Sequence, residues 1–248
     1  VGGGAKGEAM VKCLLTKKVA APRDVIVSDI SPVRRELFSR DYGVGVSADN
    51  GEAVRSSDLI ILAVKPQNLP QVMDEIKGLA RQQIVLSIVA GATLSTLCRG
   101  LNHSSLVRAM PNMPAQIGEG MAIWTATTET DQRQKQLAQT VLGALGKEIY
   151  VADEKYLNMA TALSGSGPAY VFLFIEALVD AGVHIGLPRD MAQELVIQTV
   201  LGSTRTVEKT GRHPADLRNM VTSPGGTTTE ALLELEKGRF RSLLLEAV

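Results

Sequence analysis

Up to about residue 151, short runs of β-branched and apolar residues alternate with stretches of helical periodicity, at 25–28, 59–64, 84–88, 106–109, 121–125 and 148–151. That alternation predicts βαβ units and a mostly parallel sheet. The run Leu59-Ile60-Ile61-Leu62-Ala63-Val64 shows no in/out alternation, as a strand covered by helices on both faces requires, and it belongs near the middle of the sheet. After Asp153 the strand signals stop, and Ala-, Leu- and Val-rich stretches follow, broken at 165–168, 186–188 and 223–226. The expected fold class is therefore α/β, a Rossmann-type doubly wound sheet over 1–152 followed by an all-α domain over 153–248.

Charge narrows the function. Lys plus Arg and Asp plus Glu number 26 each in a chain of 248 residues, so no long-range field draws nucleic acid or an anionic membrane. A small-molecule partner is expected instead. The two cysteines, Cys13 and Cys98, lie in neither a CxxC nor a His-rich neighbourhood, which points to core thiols in a reducing, cytoplasmic setting without a metal. The longest apolar runs are too short to span a bilayer. The stretches 169–184 and 189–207 carry apolar residues around much of their circumference and must be covered on more than one side. A domain this small does that best by pairing with a second copy, so at least a homodimer is expected.

The chain opens Gly2-Gly3-Gly4-Ala5-Lys6-Gly7 and continues into a helical stretch from Glu8 to Lys18. In G-x-G-x-x-G the first glycine permits a tight turn, the second lets backbone N–H groups approach a pyrophosphate, and the third lets helix and strand pack closely. A run of glycines would also suit a flexible tail. The context favours dinucleotide binding, because the strand at 25–28 ends in Asp29, about 20 residues beyond the third glycine, where a ribose-reading acid belongs. Asp29 favours NADH, whereas Ser31 with Arg34 or Arg35 suits the extra phosphate of NADPH; both cofactors stay open. Ser31-Pro32 also reads simply as an N-cap and first helical residue. The turns Ala63-Val64-Lys65-Pro66, Ala90-Gly91 and Met110 to Pro114 with Asn112 follow successive strands and suit backbone contact with the nicotinamide half. Only Val1 stands where a first strand should precede Gly2, and the chain stops inside a helical stretch, so 248 residues are expected to be a minimum length.

These blocks, with Arg108-Ala109-Met110-Pro111-Asn112, Leu163-Ser164-Gly165-Ser166-Gly167-Pro168-Ala169-Tyr170, Gly186-Leu187-Pro188-Arg189, His213-Pro214 and Ser223-Pro224-Gly225-Gly226-Thr227-Thr228, resemble the Δ1-pyrroline-5-carboxylate reductases over essentially the whole chain. The resemblance implies a helical dimerisation domain of the 6-phosphogluconate dehydrogenase-like type. It implies that Val1, Gly2, Gly3, Gly4, Ala5, Lys6, Asp29, Ser31, Asn50, Val64, Lys65 and Ala90 border the dinucleotide. It also implies that Glu154, Val221, Ser223, Thr227 and Thr228 hold the substrate, the last segment coming from the other subunit. Three residues depart from the family pattern: Lys6 and Thr229 stand where apolar residues are usual, and Met113 where Thr is.

The implied substrate is a five-membered ring bearing one carboxylate and one C=N bond. Gly225 and Gly226 let backbone N–H groups converge on the carboxylate, and a helix beginning near Thr228 adds a favourable dipole. The same residues also describe a plain Pro-Gly turn with Thr caps. An iminium accepts hydride without a strong acid, and His103, His184 and His213 lie in no dyad-like motif, so Thr228 is the candidate for the hydrogen bond to the ring nitrogen. A β-hydroxyacid dehydrogenase would need a lysine in 165–184, where there is none. A non-catalytic dinucleotide-binding subunit would have no use for the donor cluster at 223–228.

Overall fold

Local sequence sets most element boundaries. A computed structural model describes residues 1–80 and 82–248. Helix α1 (Ala5–Thr16) starts directly from the glycines, three residues earlier than the periodicity suggests, because Gly4 itself serves as N-cap. Strand β1 (Ile26–Ser28) leads to α2 (Pro32–Tyr42), which Ser31 caps and Pro32 opens, and which Gly43 ends in the left-handed conformation. A short strand that the sequence pattern does not reveal, β2 (Gly45–Ser47), pairs in parallel with β1. Asp49 caps α3 (Asn50–Arg55) by accepting from the Gly51 and Glu52 N–H groups.

The larger sheet then forms in sequence order. Strand β3 (Leu59–Leu62) is followed by α4 (Leu69–Ile76), β4 (Ile84–Ser87) by α5 (Leu94–Leu101), and β5 (Leu106–Pro111) by β6 (Gly120–Ala126). Helix α6 (Gln132–Gly143), held by the Asp131/Gln134 capping box, returns the chain to β7 (Gly146–Tyr150). The order is β3-β4-β5-β6-β7, parallel throughout except between β5 and β6, so β3, expected near the middle, stands at one end of this sheet with, among the described residues, only the Val1 backbone bonded to its other side. Alternate residues of β4 serve opposite faces. Ile84, Leu86 and Ile88 pack with Met10, Leu14, Val141 and Leu142, while Val85 and Val89 pack with Val72, Ile76, Leu97 and Leu101. That is the doubly wound α/β architecture expected from the sequence, with a core on each side of the sheet.

After β7 comes α7 (Lys155–Ala160) and a π-turn at Thr161–Gly165. By contacts the chain divides into two compact units, Val1–Pro168 and Ala169–Val248, so α7 and the π-helical segment pack with the sheet unit. The second unit is helical, built from α8 (Gly167–His184, from residue 169 on), α9 (Arg189–Thr210), α10 (Pro214–Met220), α11 (Thr227–Lys237) and α12 (Phe240–Ala247). Within it Gly182 brings α8 close to Ala192 of α9, and Phe174 meets Phe240 with ring centroids 6.3 Å apart. Among the described residues only Val179 and Ala192 of this unit are fully buried apolar side chains, and Phe172, Leu173, Leu195, Ile197 and Leu201 are exposed. Within the helical run Lys155–His184 an 18-residue stretch has mean hydropathy 1.5, long and apolar enough by length and composition to cross a membrane, and 6% of that stretch is buried. Run lengths miss this because Glu176 and Asp180 break the apolar residues into short runs.

Candidate active site

Val1 and Gly2 lie extended between the two sheets. The Val1 amine donates to the Ile61 carbonyl at 2.8 Å and its carbonyl accepts from Ala63 N–H at 2.9 Å, while Gly2 N–H donates to the Ser28 carbonyl at 2.8 Å. Gly2 then turns with φ +95°, and a Cβ there would press on Val64 Cγ1 and the Ala63 carbonyl, so only glycine fits. At Gly7 a Cβ would overlap the Gly2 carbonyl oxygen, which explains the third glycine as a close approach of helix to strand. Gly4 faces open space, and no side chain caps α1, so its first N–H groups point outward as a pyrophosphate requires. These residues fit the phosphates of a dinucleotide. Ala5 and Lys6 are exposed on that first turn.

Asp29 closes the loop from the β1 side. Its Oδ2 accepts from Gly3 N–H at 2.7 Å and its Oδ1 from Ser31 N–H at 2.8 Å. Arg34 reaches back from α2, its Nε donating to the Gly3 carbonyl at 2.6 Å and its Nη2 to Glu8, which also accepts from the Tyr42 hydroxyl. The Arg34 hydrogen bond holds the Glu8 carboxyl below the usual glutamate range, while burial and Glu8 push the Tyr42 phenol up. Arg35 donates to the Asp29 carbonyl at 2.7 Å. Ser31 and Arg34, expected at the ribose, are both also engaged by the protein.

The remaining expected cofactor residues border the carboxyl edge of the sheet. Ala63, Val64, Lys65 and Pro66 follow β3, and Ala90 and Gly91 follow β4, with Gly91 exposed at φ +77° and Lys65 and Pro66 exposed. Asn50, 9% exposed, donates to Glu75 Oε2 at 2.6 Å. Asn112 is a clamp. Its amide donates to the Ser164 carbonyl and hydroxyl at 3.2 Å each and its Oδ1 accepts from Met121 N–H at 2.8 Å, which ties the end of β5 to β6 and the π-turn.

Glu154, expected at the substrate, lies at the head of α7, with Oε1 accepting from Arg108 Nη1 at 2.6 Å and from Leu94 N–H at 2.8 Å. In the sequence Arg108 stands out only as part of the block Arg108-Ala109-Met110-Pro111-Asn112. The signal was present: an arginine inside a strand buried on both faces needs a partner. Glu8 was likewise read only as a helix residue.

In the helical unit the turn at 223–226 leads straight into α11. Gly225 has φ +68°, and a Cβ at Gly226 would collide with the Ser223 hydroxyl. Gly226 N–H donates to the Ser223 carbonyl, and the Thr229 hydroxyl donates to that same carbonyl at 2.7 Å, a contact the usual aliphatic residue lacks. Among the described residues the Thr227 and Thr228 hydroxyls make no hydrogen bond, and Gly226 offers α11 no side-chain cap, leaving the first N–H groups of the helix available. Val221 and Ser223 are exposed beside them.

A glycine loop at the carboxyl edge of a doubly wound sheet, followed by a helical unit, defines a nicotinamide dinucleotide-dependent oxidoreductase. Residues 1–91 match the family described as NADP oxidoreductase, coenzyme F420-dependent, and residues 154–248 match pyrroline-5-carboxylate reductase dimerisation. A pyrroline-5-carboxylate reductase of Synechocystis is 43% identical over 100% of this chain and 92% of its own. The solved structure of a pyrroline-5-carboxylate reductase from Coxiella burnetii superposes with a TM-score of 0.91 at 36% identity, covering 99% of this chain and 92% of that one. That of Plasmodium falciparum pyrroline carboxylate reductase with NADP bound gives 0.91 at 31%, covering 99% and 91%. This chain belongs to the pyrroline-5-carboxylate reductase family. The resemblance read from its motifs is borne out, and its cofactor is NAD(P)H.

Proposed function

We propose that the protein reduces the C=N bond of 1-pyrroline-5-carboxylate to give L-proline, working in the cytoplasm as a homodimer or larger homo-oligomer without nucleic acid or membrane. The observation that carries this reading is the turn into α11, where two threonine hydroxyls and the first N–H groups of a helix have no hydrogen-bond partner among the described residues. Such a turn suits a carboxylate, because N–H groups at a helix start are preoriented donors and the dipole favours negative charge there. Gly225 and Gly226 keep side chains out of the anion's way, and Ser223 and Val221 line its approach.

NAD(P)H, when bound, supplies the hydride. Val1, Gly2, Gly3, Gly4, Ala5 and Lys6 would hold its pyrophosphate, Asp29, Ser31 and Arg34 would border its adenosine ribose, and the turns at 63–66 and 90–91, with Asn50 nearby, would border its nicotinamide half. Asn112 contributes by shaping the end of β5. Thr228 places its hydroxyl at the ring nitrogen, where it donates to the lone pair that develops as the iminium becomes an amine. Glu154 favours the cationic ring electrostatically. No side chain need act as a strong acid, and the rate comes from positioning and exclusion of water.

Thr228→Val keeps the shape and removes the hydroxyl. Its kcat should fall by roughly ten- to a hundredfold, about 1.4 to 2.7 kcal/mol of transition-state stabilisation, with NADPH binding retained. Wild-type turnover in this variant would remove Thr228 from the mechanism. A rise in KM alone would mean that it binds ground and transition states equally.

A further inference from the structure

Arg108 lies within β5, beside Ser87 of β4 and Thr125 of β6, and is 4% exposed. A guanidinium so buried is costly unless its donors are satisfied. Nη1 donates to Glu154 Oε1 at 2.6 Å and Nη2 to Asn158 Oδ1 at 3.1 Å. The same Glu154 oxygen accepts from Leu94 N–H, the first residue of α5, which the chain reaches directly from the turn at 89–93. One carboxylate oxygen therefore joins β5, α7 and the head of α5. The other, Oε2, makes no hydrogen bond among the described residues, and the Glu154 side chain is 29% exposed.

We infer that Arg108 is a positioning residue of the reductase reaction: by fixing Oε1 against the head of α5, it presents Oε2 to the substrate ring at a set distance from the turn that borders the nicotinamide. This rests on the reading that Glu154 meets the substrate. Arginine is required because its planar fork spans Glu154 and Asn158 together, which the single ammonium of lysine does not do.

Three variants of the full-length protein decide the matter: Arg108→Lys, Glu154→Gln and the double substitution, each measured for KM of both substrates, kcat and melting temperature. Glu154→Gln and Arg108→Lys should each raise KM for pyrroline-5-carboxylate about tenfold, with KM for NADPH changed less than about twofold. Adding Arg108→Lys to Glu154→Gln should then do nothing further to KM, since one acts through the other. Additive effects, or a lower melting temperature with kinetic constants unchanged, would show that Arg108 is structural and overturn the inference. If Glu154→Gln alone leaves KM unchanged, the substrate role of Glu154 falls first and the inference with it. Should Arg108→Lys fail to fold, Asn158→Ala removes only the second anchor. A smaller rise in the same KM supports positioning, and an unchanged KM overturns it.

Discussion

Arg34 fastens the glycine loop to α2 through the Gly3 carbonyl and is itself neutralised by Glu8. The adjacent Asp29 spends both carboxylate oxygens on the Gly3 and Ser31 N–H groups. Asp29 and Arg34 therefore shape the glycine loop irrespective of the extra phosphate that distinguishes NADPH from NADH. Arg34→Ala should accordingly raise KM for both cofactors, each by the equivalent of about 1 to 3 kcal/mol, because a charge-assisted hydrogen bond is lost in both cases. Initial-rate titrations with each cofactor check this. A loss confined to NADPH would show instead that Arg34 serves the 2′-phosphate, the role its place after Asp29 suggests from sequence.

At the scale of elements, the Glu8–Arg34–Tyr42 network locks α1 to α2. Because Arg34 lowers the Glu8 pKa in the folded protein, its contribution is present above the glutamate value of the unfolded chain, about 4.3, and is lost as pH falls through the lower folded value. Both side chains are about 30% exposed, so solvent screening limits the pair to roughly 0.5 to 1 kcal/mol. Denaturant unfolding of Glu8→Gln should show that deficit near neutral pH and a shrinking one in acid; a deficit independent of pH would contradict the assignment. Elements of this kind differ in how far a sequence reveals them. The parallel strands and the start of α2 were legible because apolar run length and Ser31-Pro32 are local signals. Strand β2 was not, since three residues with Gly45 at one end carry too little pattern. The site divides in the same way. The roles of Gly2 and Gly7 follow from spacing, whereas the engagement of Asn112 with Ser164 and of Glu154 with Arg108 depends on contacts 52 and 46 residues apart in the chain.

The whole molecule is governed by the exposed apolar helices of the unit Ala169–Val248. Aliphatic and aromatic groups on α8 and α9 gain about 25 cal/mol for each Å² of apolar surface removed from water, a gain that one copy of the unit forgoes. They fall in the segment that matches the dimerisation family, so the native unit should be at least a dimer. Sedimentation at micromolar concentration should find no active monomer, and a fully active monomer would contradict the role given to these helices. The central claim, that the assembled protein is an imine reductase, is tested most directly by following NADPH and NADH oxidation when pyrroline-5-carboxylate is added to the purified oligomer. One L-proline should form for each cofactor oxidised. Folded, oligomeric protein that binds the cofactor yet leaves it unoxidised in the presence of this imine would contradict the claim.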